Sequence, residues 1–197
     1  MLTSQAIHAI DALLCSFGRV RSVAAFTNTS VNSIEVEDCA VATLRMANGA
    51  LATVSATLGS GPEISRHRFV FRGLVAESNT RPYSNCDGPW TFTADDPADQ
   101  SALDSEVAKI DRMRAGDGAE ASSAAAGKLK GYAPPAGFAP QMRSFADAFA
   151  NGGALPVTLE DARRAAELLC AAYYSAAAGA IVDLPLTSDH PAYRRSP

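Results

Sequence analysis

The chain has 197 residues, a length that suits one domain with a sizeable hydrophobic core. Its composition, 47% hydrophobic and 19% charged residues, is typical of a globular protein, and a net charge of -4 offers no basic surface for nucleic acid. No apolar run approaches about eighteen residues and the first residues do not resemble a secretory signal, so the sequence predicts a soluble cytoplasmic protein without a membrane partner.

The cysteines are separated by long intervals along the chain: Cys15, Cys39, Cys86 and Cys170. No pair has the C-x-x-C spacing of zinc or redox sites, and nothing groups the four into a disulfide framework. We therefore expect reduced, structural cysteines and no metal site.

Residues 3–17 are predicted to form one amphipathic helix. Apolar side chains recur at helical spacing and predict a buried stripe: Ile7, Ile10, Leu14 and Phe17. Polar side chains follow the same spacing one position along and border that stripe: Ser4, His8, Asp11 and Cys15. The hydroxyl of Thr3 or Ser4 is expected to cap the first turn, and Gly18 is expected to end the helix.

The pair His8 and Asp11 is a candidate acid/base unit, because a carboxylate one helical turn away can reach and orient an imidazole ring. A histidine beside an apolar stripe is also commonly an ordinary surface or core group. On this helix alone, spacing does not decide between the two roles.

Strands are predicted at residues 19–29, 37–46 and 50–58, and the last two form a hairpin around Asn48-Gly49. Two loop lengths compete, and a shift of one residue would move every side chain to the opposite face. A two-residue loop mixes apolar and polar side chains on each face. A three-residue loop, Ala47-Asn48-Gly49, gathers apolar side chains on one face: Ala40, Ala42, Leu44, Met46, Ala50, Ala52, Val54 and Ala56. The opposite face is mixed and rich in hydroxyls, so helices are expected on the first face only: Val41, Thr43, Arg45, Leu51, Thr53, Ser55 and Thr57.

Further strands and helices are predicted in the later part of the chain. Strands are predicted at residues 66–72, 74–78, 90–93 and 181–184, and helices at residues 101–114, 139–150 and 158–178. Thr158 and Asp161 have the spacing of a helix-capping pair, and Gly179 is expected to end that last helix. Residues 116–131 are low in complexity and belong to a variable surface segment at about residues 95–136. The order of elements predicts an α+β fold with a largely antiparallel, open-faced β-sheet, helices packed on one face, and residues 1–197 in a single domain.

Three other features carry little predicted chemistry. Gly59-Ser60-Gly61 superficially resembles a dinucleotide loop, but it follows an antiparallel hairpin and precedes a strand instead of a helix. His67 is expected to pack within its strand, and His190 to lie in an exposed turn. An acidic cluster at a strand entrance is expected to be a solvated loop, because a metal site would need further ligands: Glu35, Glu37 and Asp38.

Two groups of segments stand out when they are read together. The first contains TSQAIHAIDALL, GRVRSV, EVEDCAVATLRMANGALATVSAT and FRG, and the second contains FADAFANGGALPVTLEDARRAAELLCAAYYSAAAGAIVDLPL and DHPAY. In order and spacing they resemble the C-terminal domain of the glucose-fructose oxidoreductase and inositol dehydrogenase (Gfo/Idh/MocA) family. The resemblance covers nearly all of the chain except about residues 79–131.

The resemblance implies a function for the whole family. Its members oxidise or reduce sugars, polyols and related compounds with NAD or NADP, which binds an N-terminal Rossmann domain. That domain, its glycine-rich loop and its catalytic lysine have no counterpart in this sequence. NAD or NADP is therefore expected to bind only through a cofactor domain absent from this chain, which is expected to be inactive alone. The family usually associates through the open side of this sheet, which implies a homodimer or higher oligomer.

The resemblance also assigns residues in the first helix. His8 matches the family histidine that lines the substrate site opposite the nicotinamide, and Asp11 matches the acidic residue that follows it. Many polyol dehydrogenases of the family carry an aspartate where this chain has Ser4, so the serine favours a different sugar subclass. The resemblance thus implies His8 as catalytic and Ser4 and Asp11 as substrate-binding, with no cofactor or metal ligands in the chain.

Two functions follow from these observations. The first is the substrate-binding and oligomerisation domain of an NAD(P)-dependent oxidoreductase that acts on a sugar, polyol or related small molecule, as a fragment, a shortened product or one half of a split enzyme. A separate Rossmann-domain chain is then the expected partner. The second is a stand-alone, non-enzymatic binding or assembly module. A neighbouring reading frame that encodes a strand followed by G-x-G-x-x-G would favour the first.

Overall fold

The computed structural model describes residues 1–82, 89–116 and 138–194, with the side chains of all these residues except 110–116, 138–141 and 194. The expectations for Cys86 and for residues 117–131 lie outside the described residues. In chain order the elements are a π-helical turn (Leu2–Ala6), α1 (Ile7–Phe17), β1 (Val20–Asn28), β2 (Cys39–Met46), β3 (Leu51–Thr57), β4 (Arg68–Phe71), β5 (Leu74–Glu77), β6 (Thr91–Ala94), α2 (Pro97–Gly116), α3 (Phe138–Asn151), α4 (Leu159–Ala178), β7 (Val182–Asp183) and a 3-10 turn (Pro191–Arg194).

The chain divides into two compact units. The first unit combines residues 1–61 with residues 157–197, and the second comprises residues 62–156. The first unit therefore consists of two stretches of sequence, with the second unit between them in the chain. That residues 1–197 act as one functional domain stays a prediction.

The first helix buries a different row of side chains from the predicted one. Its buried residues begin in the π-helical turn and continue into α1: Leu2, Ala6, Ile10 and Leu13. Of the predicted stripe only Ile10 is buried, and the other three side chains are half-buried along its edge. Apolar residues occupy two adjacent rows of this helix, and periodicity alone does not show which row lies at the centre of the contact.

The start of this helix also differs from the prediction. Neither Thr3 nor Ser4 caps it, since the helical turn already begins at Leu2 and no side chain of the flanking residue provides a cap. The backbone N–H of Leu2 donates instead to the side chain of Glu37, at 2.9 Å. The end agrees with the prediction: Gly18 has a φ of 79° and its N–H donates to the carbonyl of Leu14.

The first unit contains a four-stranded antiparallel sheet with the strand order β3-β2-β1-β7. The N–H of Met46 donates to the carbonyl of Ala50 at 2.8 Å, which closes a loop of three residues. Gly49 lies in that loop with a φ of 91°, a backbone conformation that favours glycine. The predicted three-residue loop and hairpin register are confirmed.

The two faces of this sheet differ as the hairpin pattern predicts. Ala40, Ala42, Leu44 and Met46 are buried on one face, where α4 packs against β1 through Leu168 and its neighbours. On the other face three large apolar side chains are exposed: Phe26 at 74%, Val41 at 48% and Leu51 at 75%. Among the described residues of the first unit, α4 packs on the buried side of the sheet, and the predicted α+β fold with an open-faced antiparallel sheet is confirmed.

Helix α4 has chemically defined ends. The Thr158 hydroxyl accepts from the N–H of Asp161, while the Asp161 carboxylate accepts from the N–H of Thr158, so the predicted capping pair is confirmed. Gly179 ends the helix in the left-handed conformation with a φ of 64°. Beyond it, β7 pairs with Ser22 and Val23 of β1, and this strand is shorter than the predicted residues 181–184.

The second unit contains a separate three-stranded antiparallel sheet, β4-β5-β6. The strands thus divide between two sheets, where the sequence suggested one central sheet. Helix α2 begins four residues before the predicted start, and α3 agrees with the predicted helix to within one residue at each end. Helix α2 has no strong apolar face among its described residues, in keeping with its many charged side chains.

Two predicted properties of the whole chain can be checked on the described residues. Among the described residues, Cys15, Cys39 and Cys170 do not form disulfide bonds. Within the described ranges, no helix combines the length and the apolar character needed to cross a membrane.

Candidate functional site

The structure places the three residues of the predicted site at the start of the first helix. Ser4 lies in the π-helical turn, and His8 and Asp11 follow in α1, each with an exposed side chain. Cys15 continues the same exposed row. Both His8 and Asp11 are described, and no hydrogen bond or ion pair joins their side chains. The roles predicted for the three residues stay predictions.

A half-buried acidic residue from a distant loop holds the beginning of this helix. Glu37 precedes β2, and its Oε1 atom accepts from the hydroxyl of Tyr173 at 2.5 Å and from the N–H of Leu2 at 2.9 Å. The amino group of Met1 lies 2.9 Å from the same oxygen. Only 11% of the Glu37 side chain is exposed. The carboxylate thus joins α4 to the first helical turn.

The charges of this contact are well defined. Burial alone would raise the pKa of Glu37, but hydrogen bonds from Tyr173 and Leu2 outweigh it and lower the pKa to about 2. Burial, together with the adjacent Glu37 carboxylate, raises the pKa of Tyr173 to about 12, although hydrogen bonds with Thr3 act in the opposite direction. At neutral pH the pair therefore consists of a carboxylate and a protonated phenol. A negative charge at this end of a helix is also favoured by the helix dipole.

The π-helical turn has an unusual backbone pattern. The N–H groups of Ser4, Gln5 and Ala6 all approach the carbonyl of Met1, at 3.3, 3.0 and 3.4 Å. The N–H of Leu2 is left without a helical partner, as are the first N–H groups of any helix. Glu37 supplies the missing acceptor. Short π-helical turns are rare in proteins and are frequent at functional sites.

The neighbouring Asp38 has a structural role. Its fully buried carboxylate accepts from the N–H groups of Ser30, Val31 and Asn32 at 2.6 to 2.9 Å. These backbone bonds hold the pKa of Asp38 well below its usual range. The side chain thereby fixes the loop between β1 and β2.

The acidic cluster is therefore not the solvated loop that the sequence predicted. Only Glu35 is exposed, whereas Glu37 and Asp38 are occupied by hydrogen bonds. The expectation failed because the partners of Glu37 lie at the chain start and in α4, 136 residues away in the case of Tyr173. The described residues contain no group of three His, Cys, Asp or Glu side chains that could hold a metal ion.

The other histidines lie outside this site. His67 is buried in the second unit, where its ring stacks with Phe69 and Trp90, which agrees with the predicted packing role. His190 lies in a turn as predicted, but it is half-buried because its ring packs edge-on against Tyr174 at 4.8 Å. The expectation of an exposed His190 was therefore wrong.

Gly59-Ser60-Gly61 does not form a dinucleotide loop. It follows the antiparallel strand β3, and the next element is β4 instead of a helix. A dinucleotide loop needs a helix N-terminus to face the phosphates. The residues of this segment therefore do not fit NAD or NADP.

A small cavity lies at the opposite end of α1 from His8. Its volume is about 90 Å³, and it is lined by Leu14, Arg19, Val20, Arg163, Arg164, Glu167, Leu168, Leu184 and Pro185. The two α4 arginines are paired with Glu160, and Glu167 accepts from the N–H of Leu186. The charged groups from α4 thus already have partners within the protein, and the cavity is little larger than a few water molecules.

A family model connects these elements to known proteins. Residues 1–74 match the model described as the GFO/IDH/MocA C-terminal domain. The predicted resemblance to this family is confirmed for residues 1–74. The matched region includes the π-helical turn, α1 and the first four strands, and therefore Ser4, His8, Asp11 and Glu37. No curated protein matches the chain.

Solved structures of oxidoreductases share the fold. The WlbA dehydrogenase from Bordetella pertussis, in complex with NADH and UDP-GlcNAcA, superimposes with a TM-score of 0.64 at 21% identity over 94% of this chain and 46% of its own. An oxidoreductase from Agrobacterium radiobacter, in complex with NAD⁺, L-tartaric acid and magnesium, gives 0.60 at 20% identity over 93% and 48%. An aldose-aldose oxidoreductase from Caulobacter crescentus, complexed with glycerol, gives 0.57 at 17% over 90% and 45%. The chain spans about half the length of these proteins.

Proposed function

We propose that this chain is the substrate-binding half of an NAD(P)-dependent oxidoreductase that acts on a sugar, a polyol or a related hydroxy compound. The observation that carries the proposal is the match of residues 1–74 to the GFO/IDH/MocA C-terminal domain. It is supported by the fold shared with enzymes solved with NADH or NAD⁺ and with a sugar nucleotide or a hydroxy acid. Since the chain spans about half of those enzymes and its glycine segment does not fit a dinucleotide, NAD or NADP would be held by another half.

In this proposal the chain orients the substrate and exchanges its proton. The cofactor supplies the redox chemistry when it is bound. Oxidation of an alcohol requires removal of the hydroxyl proton, and an imidazole titrates near neutral pH. The exposed His8 is the proposed acceptor of that proton, and the exposed Ser4 and Asp11 on either side along the helix can donate to or accept from neighbouring substrate hydroxyls.

A substitution in an active assembly tests the proposal. The chain is joined to, or combined with, a dinucleotide-binding half, and the turnover of sugar and polyol substrates is measured across pH. His8→Asn removes the acid/base group and is expected to lower kcat by a factor of about a hundred or more, with an unchanged KM for the cofactor. Cys15→Ser, on the same exposed row, is the matched control and is expected to retain turnover. An unchanged rate and pH profile in His8→Asn would refute this role.

The open face of the first sheet is proposed as the contact with a second copy of the chain. Phe26, Val41 and Leu51 expose a large apolar area on strands whose other face is buried. Hydroxyl-rich strands can also face water, so the oligomeric state has to be measured. Light scattering should give a dimer or larger species, and Phe26→Lys with Leu51→Lys should give a monomer. A monomeric unsubstituted chain at high concentration would contradict this contact.

The alternative is a non-enzymatic binding or assembly module. It keeps the sheet contact but requires no substrate at His8. The module would be favoured by two results together. The chain would neither copurify with a dinucleotide-binding half nor turn over any hydroxy compound in its presence, and it would still associate through the sheet.

A further inference from the structure

We propose that Glu37 and Tyr173 form a positioning clamp that holds the π-helical turn Leu2–Ala6 and thereby sets the substrate-facing side chains of Ser4 and His8. This inference rests on the proposed function, because the positions of Ser4 and His8 affect catalysis only if these side chains face a substrate. Tyr173 and Glu37 are positioning residues, since neither is proposed to touch the substrate.

The clamp restrains the main chain of the π-helical turn. One oxygen of Glu37 receives both the hydroxyl of Tyr173 and the N–H of Leu2. The Leu2 contact involves the backbone, so it fixes the path of the main chain. Leu2 stands two residues before Ser4 in the π-helical turn. The clamp therefore holds the main chain immediately before the substrate-facing part of the turn.

The restraint on the first turn also affects the position of His8 relative to Ser4. Ser4 and His8 are four residues apart, so their side chains lie on the same face of the helix, one turn from each other. A displacement of the first turn would therefore change the distance between the hydroxyl and the imidazole. The π-helical pattern, in which three N–H groups share the carbonyl of Met1, has weak internal support. An external restraint is what such a turn needs to keep one geometry.

Both residues of the clamp are held in place by their surroundings. Tyr173 belongs to α4, whose residues Leu168, Leu169 and Ala172 are buried against the sheet. Glu37 is followed directly by Asp38, which three backbone N–H groups hold in place. The sheet and α4 thus fix the positions from which the clamp acts, and side chains supported in this way can hold a site to within a fraction of an ångström.

The test compares two substitutions in the same helix. Tyr173→Phe deletes one hydroxyl of the clamp, whereas Ser175→Ala, two residues on, deletes a buried hydroxyl that binds β1 and the chain after α4. Amide hydrogen exchange on this chain alone is the first measurement. Tyr173→Phe should accelerate exchange of the amides of residues 2–8 by about fivefold, the factor that one hydrogen bond of ordinary net strength represents. Ser175→Ala should leave these amides unchanged.

The second measurement is turnover in the active assembly with the dinucleotide-binding half. Tyr173→Phe should lower kcat about tenfold or more with an unchanged KM for the cofactor, as expected when a reacting group is misplaced. Ser175→Ala should lose thermal stability without losing kcat. Glu37→Gln keeps an acceptor oxygen and should retain most of the turnover, whereas Glu37→Ala should behave like Tyr173→Phe.

The outcomes separate the clamp from the proposed function. Unchanged exchange in Tyr173→Phe would overturn the clamp, and so would equal losses of kcat in Tyr173→Phe and Ser175→Ala, which would indicate general destabilisation. An inert unsubstituted assembly would overturn the proposed function. The exchange result, which needs only this chain, would then still support or overturn the clamp.

Discussion

The hydroxyl of Ser175 accepts a hydrogen bond of 3.0 Å from the backbone N–H of Ala25, 150 residues earlier in the chain. The same hydroxyl donates to the carbonyl of Ala180 at 2.6 Å. Since β7 pairs only with Ser22 and Val23, the N–H of Ala25 on that side of β1 would otherwise have no strand partner, while its other side pairs with β2. One buried side chain therefore completes the strand and ties it to the end of α4.

Ser175→Ala is expected to destabilise the first unit by about 1 to 3 kcal/mol, because the buried N–H of Ala25 would lose its acceptor. Urea unfolding of the purified chain measures the change. Ser16→Ala is the matched control, since the Ser16 hydroxyl is exposed and bonds only to the carbonyl of Ala12 within its own helix. Equal stabilities of the two variants would contradict the role assigned to Ser175.

Gly59→Ala is expected to destabilise the chain by about 1 to 3 kcal/mol through overpacking. A methyl group at this position would lie 2.7 Å from both methyl carbons of Val31 and 2.9 Å from its Cβ atom, so the loop between β1 and β2 would have to move. At Gly61 the same substitution meets no atom within 4 Å and should be nearly neutral. Thermal unfolding compares the two. The double variant Val31→Ala with Gly59→Ala removes the two methyl carbons but keeps the Cβ atom at 2.9 Å, so it should recover part of the stability; no recovery at all would show that the cost lies elsewhere.

The stability of the second unit should depend on the protonation of His67. Burial lowers the pKa of this imidazole below its usual value of 6.5, so the unfolded chain binds a proton more readily than the folded one. The contribution to stability is complete above about pH 6.5 and is lost as the pH falls through the lowered pKa. Denaturant unfolding between pH 7.5 and 5.5 should show this loss. In His67→Phe, which keeps an aromatic ring beside Trp90, the slope should be reduced; an unchanged slope would assign it to another group.

Thr158→Ala should destabilise α4 by about 1 kcal/mol, the usual cost of removing a helix cap. The Thr158 hydroxyl accepts from the N–H of Asp161 at 3.2 Å, and the alanine variant leaves that N–H without an acceptor from the cap. Thr158→Ser keeps the hydroxyl and should preserve the free energy of unfolding. Equal losses in both variants would indicate that the methyl group, and not the hydrogen bond, matters.

Local chemistry made several elements predictable from the sequence. The hairpin register followed from strict alternation over β2 and β3, because a slip of one residue would have exposed Leu44 and Met46. The cap at Thr158 and the helix ends at Gly18 and Gly179 involve partners within a few residues. Signals of this kind are contained in a short window of sequence.

Features that depend on distant partners were not predictable. The sequence contains Glu37 and Tyr173 but nothing that pairs them, and the true start of the first helix depends on that pair. The division of the strands into two sheets also depends on contacts between distant residues, because the alternation of apolar and polar residues within one strand does not show which sheet it joins. Of the candidate site, the exposure of Ser4, His8 and Asp11 follows from helical spacing, whereas their support from α4 does not.

The division of the first unit into two stretches of sequence has a consequence for synthesis. During translation β1 and its neighbouring strands emerge long before α4, the helix that packs against β1. Until about residue 178 has been made, the buried side chain of Val23 in β1 lacks that cover. The nascent chain therefore exposes apolar side chains of this sheet while the whole intervening unit is synthesised, and protection of that face during synthesis is expected to raise the yield of folded protein.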